Sequence, residues 1–272
     1  MIIDGKKIAQ EILEKLKSVP KPEKFMAAVL VGNDESSISF LKQKEKVAKE
    51  LGIDFRLYKF PADIKNDELR EEVGKIAAHK TCGGVIVQLP LPEHINRHYI
   101  LNVIPREKDI DVLGERALGA VYTGRNSILP PPAGVVEEVL HASRFTLHDL
   151  RVAVVGRGLL VGKPIALWLI DKARELIVMG QGADMRILKK SDIVITGVGK
   201  AGIIKPDMLK DEAVVIDFGY DTVEGKMCGD FDSNQLLETS HQLLVSYTPT
   251  PGGTGPILVA KIFENFYSLN KE

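Results

Sequence analysis

The chain carries only two cysteines, Cys82 and Cys228, far apart in its 272 residues, so it has neither a disulfide framework nor a short-spaced thiol pair for redox or metal chemistry. It also lacks a basic surplus. Thirty-six Lys+Arg stand against 37 Asp+Glu, a formal charge of −1, which leaves no excess to neutralise a nucleic-acid backbone or an anionic bilayer. Nor is there a smooth apolar run: the longest uncharged stretch, Thr239 to Ala260, contains Pro249, Pro251, Gly252, Gly253, Gly255 and Pro256, which break a spanning helix. The N-terminal segment MIIDGKKIAQ has no basic start followed by an apolar core, so no signal or transit peptide is expected and the location read from it is cytoplasmic. Repeats and low-complexity tracts are absent as well. His94 and His98, four apart, could share a helix face as paired metal ligands, but no acidic residue between them fits the metalloprotease pattern and no Cys or third His is near. No metal is expected.

What is present is an alternation of short β-branched runs with amphipathic stretches, and 44% apolar residues give roughly two domains each a core. In the first half, Met26–Val31, Asp54–Phe60 and Gly84–Gln88 read as strands. The intervening helices bury Ile8, Ile12 and Leu16, then Leu41, Ala48 and Leu51, then Leu69, Val73 and Ile76. A proline knot, SILPPPAG at Ser127–Gly134, interrupts the pattern and marks the domain seam. Beyond it, Arg151–Val155, Glu175–Met179, Asp192–Thr196 and Ala213–Asp217 form a second strand series with helix-sized intervals. The predicted fold is therefore α/β with two domains, an N-terminal parallel α/β domain and a C-terminal Rossmann-like dinucleotide-binding domain.

The first strand of the second series opens into VVGRGLLVGKP, where Gly156, Gly158 and Gly162 precede a helix with Pro164 near its first turn. Glycines allow a tight turn and close backbone approach, and the helix's free N–H groups face an anion, so this reads as a phosphate cradle, with a plain strand-helix turn as the alternative. Its spacing is one residue longer than the usual fingerprint. Later strands end in the glycine-bearing loops TGVGK, with Val198 and Gly199, and DFGYD, with Tyr220. The second strand ends in MGQG with Asp184 the nearest carboxylate, rather than in the acidic residue that holds an NAD ribose. Arg157, inside the glycine loop, could instead meet a 2′-phosphate, which favours NADP over NAD; a solvated surface arginine is the alternative.

In the first half, Phe40 and Lys44 project from one helix face, an aromatic plate beside an amine. Desolvation would make such a lysine a proton carrier; a solvated surface lysine is the alternative. Gln88 ends its strand where a ligand could be oriented, or makes an ordinary turn bond. Asp109 and Asp111 have period-two spacing and could lie on one side of an extended segment, or in a solvated loop.

Together these pieces resemble the bifunctional methylenetetrahydrofolate dehydrogenase/methenyltetrahydrofolate cyclohydrolase family over essentially the whole chain. VGNDESSISFLKQKEK resembles the family's lysine helix, GVIVQLPLP its glutamine strand and IPREKDID its aspartate loop, followed in order by VVGRGLLVGKP, VVIDFGYD and TPTPGGTGP. The resemblance implies that Lys44 is the cyclohydrolase acid/base, Gln88 its orienting and pKa-tuning partner and Asp111 a pterin anchor. It further implies folate contacts from Phe40, Pro251, Gly252 and Gly253, and dinucleotide contacts from Gly156, Arg157, Gly158, Gly162, Val198, Gly199 and Tyr220. The domains it implies are residues 1–133, completed by a C-terminal helix over 255–272, and residues 134–254, with the active site in the cleft between them and a homodimer as the assembly. The implied function is oxidation of methylenetetrahydrofolate with NADP and hydrolysis to 10-formyltetrahydrofolate. A monofunctional dehydrogenase, possibly NAD-using, and a non-catalytic folate- or nucleotide-binding paralogue are the competing readings. Departures from the family pattern are Phe40 for a tyrosine, Val112 for a glycine, Leu129–Pro132 for Pro-Cys-Thr-Pro, Gly158 for a serine, and Gly180–Gly182 for His-Ser-Arg. The last two remove expected 2′-phosphate contacts and keep NAD open.

Overall fold

The computed structural model describes residues 1–143, 145–237 and 244–271; residues 239–243 of the long uncharged stretch lie outside them. The chain divides into two compact units, one of Glu11–Pro131 with Val259–Glu272 and one of Met1–Gln10 with Pro132–Leu258. The first ten residues, expected with the first domain, group with 132–258. The reason is a backbone exchange in which Ile3 N–H donates to the Tyr247 carbonyl and Tyr247 N–H to that of Met1.

Helix α1 (Gly5–Lys17) precedes β1 (Phe25–Val31), α2 (Glu35–Leu51), β2 (Phe55–Phe60), α3 (Asn66–Ala78) and β3 (Cys82–Val87). The three strands form a parallel sheet in the order β2-β1-β3. Every residue of β1 is buried, as a central strand under helices on both faces demands. The edge strand β2 is only partly buried, and its exposure does not strictly alternate as its sequence FRLYKF suggests, since Arg56 and Leu57 are both exposed. Two short helices that the periodicity did not disclose, α4 (Arg97–Leu101) and α5 (Glu115–Tyr122), follow. Because α4 begins only at Arg97, His94 lies before it, and the two histidines do not share one helix face. His94 Nε2 is instead within hydrogen-bonding distance of the Ile64 carbonyl, at 3.0 Å. Among the described residues no group of three or more His, Cys, Asp or Glu side chains could hold a metal.

The proline knot does more than break the pattern. Helix α6 (Pro131–Ala142) starts on it, since prolines in a first turn forgo N–H groups that have no helical acceptor anyway. Then come β4 (Arg151–Val155), α7 (Gly162–Leu169), β5 (Glu175–Met179), β6 (Ile193–Thr196), β7 (Val214–Asp217), the hairpin β8 (Asp221–Val223) and β9 (Lys226–Cys228), β10 (Ser246–Tyr247) and α8 (Thr254–Leu269). The second sheet is parallel throughout, in the order β10-β7-β6-β4-β5. The chain moves to one side of β4 for β5 and to the other for β6, so the loop after β4 sits at a topological switch point, where such sheets bind ligands. Among the described residues no helix is long and apolar enough to cross a membrane.

Val112, where the resemblance leads one to expect glycine, keeps a left-handed backbone at φ 54° although it is β-branched. That conformation costs about 1–2 kcal/mol for an L-residue. The buried side chain, packed with Ala117 and Ile128, offsets it. Val112→Gly, which loses packing but relaxes the backbone, should therefore be tolerated at least as well as Val112→Ala, reversing the usual order for a buried valine; urea denaturation of the two variants checks this.

Candidate active site

Helix α2 is capped by Asp34, whose carboxylate accepts the Ser37 N–H at 2.7 Å, and ends at left-handed Gly52. Its buried stripe is Ser37, Leu41, Lys44, Ala48 and Leu51, which puts an amine in line with the apolar positions. Lys44 is 3% exposed, so the solvated alternative falls away. Its Nζ donates to Gln88 Oε1 at 3.1 Å and stands 5.0 Å from the centre of the Phe40 ring. Gln88 follows the end of β3. Its backbone N–H is held by the Val29 carbonyl and its Nε2 donates to the Leu89 carbonyl, which turns Oε1 toward the lysine. Burial lowers the Lys44 pKa, and the charge of Asp111 pulls it back up. Asp111 is the mirror case, raised by burial and lowered by Lys44. Ser37, on the same stripe, is buried, and its hydroxyl has no hydrogen-bond partner among the described residues.

Asp109 and Asp111 do not share one side of an extended segment. The chain turns there, and Asp109 is folded inward: its carboxylate accepts the N–H groups of Leu113 (3.1 Å) and Gly114 (2.8 Å) at the start of α5. Burial pushes its pKa up to about 6 despite those donors. Asn265 of α8 donates to the carbonyls of Ile110 and Leu129, both at 2.9 Å, and so pins the residue before Asp111. Neither Asp109's structural role nor Asn265 was visible in the sequence, because both act through backbone atoms of distant segments.

In the unit containing 132–258, the glycine loop and α7 form as expected. A Cβ on Gly162 would lie 1.9 Å from the Gly156 carbonyl oxygen, so the loop closes on itself only with glycine there, whereas a Cβ on Gly158 would meet nothing within 4 Å among the described residues. This close-folded loop before a helix N-terminus fits a dinucleotide phosphate. Arg157 is exposed, and its guanidinium lies over Gly180, where a Cβ would come within 2.1 Å of Nη2. Asp184 is already engaged: it caps the turn at Met185–Lys190 and is gripped by Arg186 through Nε (2.9 Å) and Nη2 (2.8 Å). Val198 and Tyr220 are exposed on their loops. Pro251 is exposed and Gly253 buried just before α8, with Pro256 in its first turn.

The family model for tetrahydrofolate dehydrogenase/cyclohydrolase, catalytic domain, matches residues 3–111, and that for its NAD(P)-binding domain matches residues 130–272. The chain is 37% identical to a protein named Bifunctional protein FolD from Bacillus licheniformis, over 97% of this chain and 95% of the relative. Among solved structures, it is similar to the bifunctional methylenetetrahydrofolate dehydrogenase/cyclohydrolase of Campylobacter jejuni (TM-score 0.92, 29% identity, 99% and 98% coverage). It is also similar to the Trypanosoma brucei enzyme complexed with NADP cofactor and inhibitor (TM-score 0.89, 27% identity, 99% and 96% coverage).

Asp217, at the end of β7, is held up at about 7, burial outweighing its backbone donors. A carboxyl group raised in the fold adds stability that is complete below its ordinary value near 4. That stability is lost as the pH climbs through about 7. Asp217→Asn, which does not titrate, should flatten the decline of melting temperature between about pH 5 and 7.5 relative to the wild type; calorimetric scans across that range provide the check.

Proposed function

The chain belongs to the tetrahydrofolate dehydrogenase/cyclohydrolase family, and we infer from this that it oxidises methylenetetrahydrofolate to methenyltetrahydrofolate with NADP and hydrolyses the product to 10-formyltetrahydrofolate, in one-carbon metabolism. The observation that carries both activities is the buried Lys44 amine bonded to the neutral amide of Gln88. A module that only bound its ligands would gain nothing from desolvating an amine, which costs stability unless its proton is put to use. We assign folate handling to residues 1–133 with 255–272 and dinucleotide handling to 134–254. The homodimer and the cytoplasmic location are proposed on the family resemblance alone.

Lys44, Gln88 and Asp111 are the catalytic residues in this reading. In the cyclohydrolase step water adds to the methenyl carbon and a proton must be relayed before the ring opens. Lys44 relays that proton, its pKa lowered by burial from that of a free lysine. Gln88 fixes the Nζ direction without adding a charge that would trap the proton. Asp111 holds the pterin, and its charge raises the lysine pKa against the effect of burial. Phe40, Pro251, Gly252 and Gly253 line the folate, and Phe40 stacks on its aromatic ring without the hydroxyl of the family's tyrosine. The oxidation needs orientation more than a base, since the product cation is shared by two nitrogens. Bound NADP supplies the hydride acceptor. Gly156, Gly158 and Gly162 cradle its phosphates, Val198, Gly199 and Tyr220 flank it, and Arg157 reads the 2′-phosphate. The seat of Arg157 over side-chain-free Gly180, with Asp184 committed to Arg186, supports NADP over NAD.

Lys44→Met should lower hydrolysis of added methenyltetrahydrofolate by about 100-fold or more, the scale of a lost general acid/base, followed by decay of methenyl absorbance; a rate equal to wild type would remove Lys44 from this role. Arg157→Ala should raise the KM for NADP by about tenfold while leaving that for NAD within about twofold, as expected for loss of a charge-assisted phosphate contact; steady-state kinetics with both nucleotides decides it.

A further inference from the structure

Two buried aspartates, neither among the residues assigned above, organise the loops that leave β6 and β7. Asp230 is fully buried, and its carboxylate collects three donors: the Thr196 hydroxyl at 2.6 Å, Val198 N–H at 2.7 Å and Lys200 N–H at 2.8 Å. It therefore grips the 197–200 loop on both sides of Gly199. Asp217 does the same for the segment that carries Asp230, accepting the N–H groups of Phe231 (2.9 Å) and, more weakly, Asp230 (3.3 Å), as well as that of Gly219 (2.7 Å). The two are reciprocal. A Cβ on Gly219 would fall 2.3 Å from the Asp230 carboxyl carbon, and one on Gly229 would fall 2.1 Å from Asp217 Oδ2, so each carboxylate rests against a glycine beside the other. The sequence shows this as DFG at 217–219 facing GDF at 229–231.

The clasp continues outward. Ala201 N–H donates to Asp221 Oδ2 and Gly202 N–H to the Gly229 carbonyl, both at 3.1 Å, so the loop is fastened along its length. Neutral acceptors would satisfy the same groups more weakly; a carboxylate accepts several backbone N–H groups at once and fixes their directions. We propose that Asp230 is a positioning residue for the dehydrogenase reaction, its carboxylate setting the shape in which the 197–200 loop receives the dinucleotide, with Asp217 holding Asp230 in place. This rests on the reading of Val198 and Gly199 as dinucleotide contacts.

The test is Asp230→Asn, which keeps shape but turns an amide N–H₂ toward one of the N–H donors. NADP binding by titration calorimetry should weaken by about tenfold or more, the effect of losing a buried charged hydrogen bond. Hydrolysis of added methenyltetrahydrofolate without nucleotide should stay within about twofold of wild type, since Lys44, Gln88 and Asp111 are untouched. Thr196→Val, which removes one donor from a buried site without changing its volume, should weaken NADP binding by a few-fold and decides the matter if Asp230→Asn does not fold. Unchanged NADP affinity in the folded variants, or a proportional fall of both activities, overturns the role of Asp230. A wild-type protein that binds neither NADP nor NAD overturns the dinucleotide reading itself and the clasp with it.

Discussion

Parallel strands end in a shared difficulty: at their carboxyl ends the hydrogen-bonding ladder stops, and the N–H groups of the departing loops need acceptors that the sheet no longer supplies. This protein meets the need with buried carboxylates. Asp109 takes the N–H groups that open α5, Asp217 those of the 219 and 230–231 segments, and Asp230 those of the 198–200 loop. Loops that would otherwise be loosely held are given fixed directions, and these are the loops that carry the proposed folate and dinucleotide contacts. The accompanying desolvation is visible in Asp109 and Asp217, which the fold raises to about 6 and about 7.

The same trade governs Lys44. Placing an amine in the apolar stripe of α2 is unfavourable unless something restores its hydrogen bonding, and Gln88 does so with a neutral oxygen. A carboxylate at that position would bind the ammonium form tightly and hold its proton. An amide orients the nitrogen while leaving its protonation state responsive to burial and to the more remote charge of Asp111. The arrangement suits a group that must both take and give a proton.

The departures from the family pattern find local compensations. Val112 takes the left-handed backbone that glycine would adopt freely, and a small apolar cluster around its side chain stabilises it there. The missing side chain at position 180 becomes the space in which the Arg157 guanidinium lies. Phe40 retains the aromatic plate near the lysine without the hydroxyl.

The sequence by itself determined the α/β class, the strand runs and the glycine loop before α7, and through ordered motifs it pointed to the proposed roles of Lys44, Gln88 and Asp111, because hydrophobic period and motif spacing are local properties of the chain. It also held, unread, the sign that Lys44 is buried: position 44 falls on the stripe of Leu41, Ala48 and Leu51. Short elements such as α4, α5 and β10 escaped it, since a few residues carry too little periodicity to separate helix or strand from loop. Only the tertiary structure separated Asp109 from Asp111, since it is the distant N–H groups of Leu113 and Gly114 that draw one inward. It alone revealed Asn265 bracing the aspartate loop and the Asp217–Asp230 clasp, because those partners are backbone atoms, which every residue possesses and no sequence pattern distinguishes.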